Sequence, residues 1–89
     1  MKINEGFELR EMCGEHIIIA TGIGNIDCSK VISLNESATY LWNELNNKEF
    51  TPATMAALLT ERYDIDEATA LTDATELANQ WIKTGIATL

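Results

Sequence analysis

The hydrophobic period of this chain changes abruptly at Asn35, and few folds accommodate that change. Val31-Ile-Ser-Leu34 alternates apolar and polar residues, the period of a half-buried strand rich in good strand formers. From Asn35 onward, Ala38, Leu41, Trp42 and Leu45 fall at the three-and-four spacing of an amphipathic helix. Asn35 is a natural N-cap, because its side-chain oxygen can accept a free backbone N–H of the first turn. Glu36 then places negative charge at the positive end of the helix dipole. A strand therefore runs directly into a capped helix. Nothing in that junction is catalytic, and it suits a scaffold that holds another polypeptide.

Upstream, Phe7 to Met12 reads as an alternating strand and Gly14-Glu15 as a short turn. His16-Ile-Ile-Ile-Ala-Thr21 is a continuous apolar run dense in β-branched residues, the pattern of the most buried strand of a sheet. Gly22 to Ser29 is a connection, leading to a third strand over Lys30 to Leu34. Short loops between three strands predict an antiparallel meander with the first and third strands as its edges. Downstream, the Asn35 helix ends near Asn46-Asn47. Thr51 caps a second helix with Pro52 at its first position and Met55, Leu58, Leu59 and Tyr63 as its buried stripe. Asp66 caps a third helix that runs from Glu67 to about Thr84 and stops at Gly85, with Ile86 to Leu89 extended against the sheet or helices. This third helix carries two stripes. Ala70, Ala74, Leu77 and Trp81 form one, and Leu71, Thr75, Ala78 and Ile82 form a second beside it. A helix packed on one core needs one stripe, so the second suggests either a further surface to meet or a helix more deeply buried in its own domain, and the pattern favours neither.

The 89 residues are expected to form one domain, residues 1–89, whose 46% hydrophobic content suffices for a core without metal or disulfide staples. A net charge of −8 makes nucleic acid and anionic membrane poor partners, since phosphate binding needs a basic footprint. The last helix bears Glu67, Asp73 and Glu76 against Lys83 alone, which argues against insertion into a DNA groove. No run has signal-peptide character or the ~20 apolar residues of a membrane span, so a cytoplasmic location is expected. Cys13 and Cys28 lack metal-ligand spacing, His16 has no second imidazole, and the two cysteines fall towards opposite ends of the expected sheet. No thiol–imidazole motif or paired carboxylates suggest catalysis, and Asp73 reads as a structural acceptor in its helix. The expectation is a protein that is not an enzyme and uses no cofactor.

One order of features runs through most of the chain. A meander precedes Leu34-Asn35-Glu36-Ser37-Ala38 with Leu41-Trp42 and Leu45. Thr51 then precedes a helix ending Leu59-x-x-x-Tyr63, and Asp73 lies inside a last helix closing at Gly85-Ile86. This order, with Arg10-Glu11 and Gly14 at the first turn, resembles the family of coenzyme PQQ synthesis protein D, small winged-helix-like domains that recognise ribosomally made precursor peptides. The resemblance implies an α+β, winged-helix-like fold, with an N-terminal three-stranded antiparallel sheet followed by three helices. It also implies a peptide chaperone that takes the leader of a precursor peptide as an added strand and presents it to a modifying enzyme, often a radical SAM protein. Ala74 stands where the family more usually has a larger aliphatic residue, and Trp81 where it has leucine, so core volume is redistributed along the helix.

On this basis the expected peptide-binding residues are Lys30, Val31, Ile32, Ser33 and Leu34 on the receiving edge. Leu71, Thr75, Ala78 and Ile82 are expected on the groove wall. Unpaired backbone groups on such an edge give affinity, and alternate side-chain pockets give specificity. The competing expectation is a self-associating module, a homodimer paired through the same edge. Protection of the edge by the chain's own C-terminal residues would close it to both.

Overall fold

The computed structural model describes residues 1–21 and 26–89, and the side chains of residues 1–20 and 32–89. Strands β1 (Lys2–Ile3), β2 (Phe7–Met12), β3 (Glu15–Thr21) and β4 (Ile26–Leu34) precede helices α1 (Glu36–Leu45), α2 (Pro52–Arg62) and α3 (Glu67–Lys83). A last short strand, β5 (Ala87–Thr88), closes the chain. The three-stranded antiparallel sheet has the order β2-β3-β4, the meander expected from the sequence, and three helices follow it.

The alternation of β2 and the apolar run of β3 explain the sheet. Cross-strand partners share a face, so Leu9, Ile18 and Ile32 stand together towards the core, while Arg10, Ile17 and Ser33 stand on the opposite face. Ile17, Ile18 and Ile19 are all buried, in keeping with the middle position of β3. The β2–β3 turn is Cys13-Gly14 rather than Gly14-Glu15, because Met12 pairs directly with Glu15. Both turn residues have positive φ, +53° and +80°, the backbone that a tight two-residue hairpin loop demands. Strand β4 begins at Ile26, earlier than Lys30, and absorbs a register shift between Ile18 and Ala20 of β3. Of the expected Gly22–Ser29 connection, residues 22–25 lie outside the described residues and the remainder is strand. The register sets Asp27 beside Ala20, whereas the Cys13 turn lies at the sheet's other end.

Each helix begins on the cap that its sequence announces. The Asn35 side-chain oxygen accepts the Ala38 N–H at 2.8 Å. Thr51 and Thr54 form a reciprocal capping box ahead of Pro52. The Asp66 carboxylate accepts the Thr69 N–H at 2.7 Å, and that hydrogen bond holds its pKa below the ordinary value. At the far end of α3, Gly85 takes φ +83°, a conformation glycine adopts without a Cβ penalty.

The core lies between the helices and one face of the sheet. Trp42, Trp81, Leu41, Met55, Ile18 and Ile86 are its largest fully buried side chains. The Trp81 ring meets the edges of Trp42 and Phe50 at centroid distances of 5.8 and 6.3 Å, the T-shaped geometry aromatic quadrupoles favour. Ile86 and Ala87 are buried as expected of an extended C-terminal segment, and β5 pairs antiparallel with β1.

Candidate functional site

The Ile32–Leu34 stretch of β4 alternates as its sequence does: Ile32 is half-buried against the core, Ser33 is exposed and Leu34 is buried. Lys30 and Val31 belong to the same strand, and their side chains lie outside the described residues. Among the described residues β4 pairs with β3 alone. The C-terminal residues pair with β1 instead, so they do not cover β4.

Where β4 ends, Asn35 fixes the turn into α1. Its Oδ1 accepts from the Ala38 N–H and the Ser37 hydroxyl, and its carbonyl accepts from the Thr39 hydroxyl at 2.8 Å. Beside this turn a cleft of about 340 Å³ separates the start of α1 from the middle of α3. Asn35, Ser37, Ala38 and Leu41 form one wall, Asp73, Glu76, Leu77 and Gln80 the other, and Leu59 of α2 also lines it. The cleft shares Asn35, Ser37, Leu59 and Asp73 with a second hollow, which continues past Glu36 to Tyr63 and Ile65. Beyond Tyr63, its ring meets that of Tyr40 edge-on at 6.2 Å, and the Arg62 guanidinium lies 4.8 Å from the centre of the Tyr40 ring. Burial raises the Tyr40 pKa, and the nearby carboxylates of Glu44 and Glu61 add to the shift.

The α3 wall differs from the one expected. Ala78 is 1% exposed and belongs to the core with Ala70, Ala74 and Trp81, so it forms no groove surface. The physical reason is helical geometry: positions 70, 74, 78 and 81 share one face at 100° per residue, and Leu77 falls to the side of it. Leu77 is accordingly half-buried and lines the cleft. Leu71 and Thr75 are exposed and Ile82 is half-buried, and none of the three lines the cleft. The same 100° geometry puts them on the flank of the core stripe away from Asp73, Glu76 and Gln80. Asp73, expected as a structural acceptor, is exposed on the cleft. The cleft-facing set at 73, 76, 77 and 80 has helical spacing but only one apolar member, so a search for apolar periodicity passes over it.

A family model for coenzyme PQQ synthesis protein D matches residues 15–87, from the first residue of β3 into β5. The chain belongs to that family. No curated protein and no solved structure gives a match. Membership in the coenzyme PQQ synthesis protein D family implies a peptide-binding role related to that synthesis. The match takes in the β4 edge, Asn35 and both walls of the cleft, while Arg10-Glu11 and Gly14 precede it. Among the described residues no group of histidine, cysteine and carboxylate side chains is arranged to hold a metal ion, and no helix is long and apolar enough to cross a membrane. Cys13 is exposed in its turn, and His16 faces Glu11 at 3.8 Å.

Proposed function

We propose that this protein captures the leader segment of a ribosomally made precursor peptide as an extra strand on β4 and presents it to a modifying enzyme, of the radical SAM type. The observation that carries the reading is the outer side of β4, which has no strand partner among the described residues and leads at Asn35 into the cleft against α3. A leader strand laid along residues 30–34 would make ~4–6 backbone hydrogen bonds, each worth a net ~0.5–1.5 kcal/mol. That is only a few kcal/mol. Half-buried Leu77 supplies apolar surface in the cleft to offset part of the cost of ordering a flexible peptide. Micromolar or somewhat tighter affinity follows.

Self-pairing through the same edge is the second reading. Two copies would each bring a net charge of −8 to the contact, a repulsion that an apolar or basic peptide does not meet. A proline scan separates the readings. Ile32 and Ser33 are neighbours on the strand, so their backbone N–H groups point to opposite sides. Of Ile32→Pro and Ser33→Pro, the one that removes an outward N–H is expected to abolish binding of a precursor peptide encoded beside the gene, with circular dichroism intact. The other breaks pairing to β3 and damages the fold. Light scattering should give the mass of one chain. Peptide binding that survives both substitutions excludes this edge, and a dimer dissociated by the outward proline favours self-pairing.

A further inference from the structure

The hairpin turn at one end of the sheet determines which backbone groups of β4 point outward. Cys13 and Gly14, with φ +53° and +80°, form a two-residue loop, and the residues flanking such a loop, Met12 and Glu15, exchange backbone hydrogen bonds. Along an antiparallel pair, hydrogen-bonded and non-hydrogen-bonded positions alternate. The β2–β3 register runs unbroken from Met12–Glu15 to Phe7–Ala20, so Glu15, Ile17 and Ile19 turn their N–H and C=O groups to β2. His16 and Ile18 turn theirs to β4, where their partners are Leu34 and Ile32. Ser33, opposite Ile17, is left with both its N–H and its C=O directed away from the sheet. Asn35 is the next outward position, because its backbone stays extended at φ −76° and ψ 179°. Its carbonyl already accepts from the Thr39 N–H and hydroxyl, whereas its own N–H donates to no described residue. In the other direction, the register shift between Ile18 and Ala20 ends the alternation before Val31.

We infer that Ser33 and Asn35 are the residues that fasten the captured strand, Ser33 through its N–H and C=O and Asn35 through its N–H alone. Ile32 and Leu34 direct their backbone groups to β3 and make no hydrogen bond to the guest. This rests on the strand-capture reading and deepens it by fixing which groups the guest meets and where its pairing stops. Pairing ends at Asn35, since its carbonyl is taken and the chain turns there into α1. The guest meets a donor, an acceptor and a donor in that order. The guest residue that donates to the Ser33 carbonyl therefore cannot be proline, which has no N–H.

The test is amide hydrogen exchange, read by NMR on the intact wild-type chain, alone and with a decapeptide selected on it from a random display library. In the free chain the Ser33 and Asn35 amides are expected to exchange at least tenfold faster than those of Ile32 and Leu34. Saturating peptide should slow Ser33 and Asn35 at least tenfold. Ser33→Pro should keep the circular dichroism of wild type and lose the peptide, and Ile32→Pro should unfold the sheet. A free chain with Ser33 protected and Ile32 exchanging fast would overturn the inference and leave strand capture intact on the alternate residues. A bound peptide that slows other β4 amides but neither Ser33 nor Asn35 would do the same. A bound peptide that slows no β4 amide, or a selection that yields no binding peptide, would overturn both.

Discussion

Ala78 shows how one methyl group settles which face of a helix is core. With alanines at 70, 74 and 78, α3 lies close to its neighbours, and the volume those positions forgo is supplied by Trp81 packed edge-on against Trp42 and Phe50. Glutamate at position 78 would bury an unpaired charge at a site only 1% exposed. Ala78→Glu is therefore expected to cost several kcal/mol, a large share of the stability of a chain this small. Leu71→Glu, on a side chain already 47% exposed, should leave the unfolding free energy within about 0.5 kcal/mol of wild type. Chemical denaturation of the two variants checks this. Equal stabilities would mean that α3 turns a different face to the core, with position 78 towards solvent.

Local rules make the elements legible, and long-range pairing hides the rest. Asn35, Thr51 and Asp66 each cap the helix expected of them, since an N-cap depends on backbone groups two or three residues away. The meander follows from the period of β2 and the apolar density of β3. The extension of β4 back to Ile26 was not legible, because the register shift opposite Ile18–Ala20 breaks the alternation that marks a strand. Strand β1 escaped for a similar reason: two residues carry no period, and their partner lies more than eighty residues away. The cleft escaped because Asp73, Glu76 and Gln80 read as ordinary solvated positions until the fold sets them opposite Asn35. At this scale Asn35 joins the end of β4 to the cleft, and its cap fixes the start of α1. Asn35→Ala should lose the hydrogen bond to Ala38 and cost about 1 kcal/mol, whereas Asn35→Asp keeps an acceptor and should cost little. Thermal melts of the pair test the cap, and equal losses in both would show that the amide has some other role.

Across the whole molecule, the first and last strands are clasped together in a two-stranded sheet separate from the one that holds β4. Lys2–Ile3 pairs with Ala87–Thr88, the Asn4 N–H donates to the Ile86 carbonyl at 2.7 Å, and the Asn4 side chain donates to the Gly85 carbonyl at 2.9 Å. The Phe50 N–H donates to the Met1 carbonyl at 2.8 Å, which ties the same strand to the loop before α2. Ile3, Phe50, Ile86 and Ala87 are all buried in the common core. This arrangement occupies β5 with β1, and β4 keeps β3 as its one strand partner among the described residues. Ile3→Ala removes a nearly buried side chain from the clasp and is expected to cost about 2–5 kcal/mol. The loss should appear first as faster amide exchange at Ile3 and Ala87 and at the end of α3, with the β2–β3–β4 sheet protected until global unfolding. The sheet pairs through its own ladder, whereas β1 and β5 are two residues each and depend on the side chains beneath them. Uniform acceleration of exchange across both sheets would show instead that the clasp and the sheet unfold as one unit, and that the ends stabilise the β4 edge as directly as they stabilise α3.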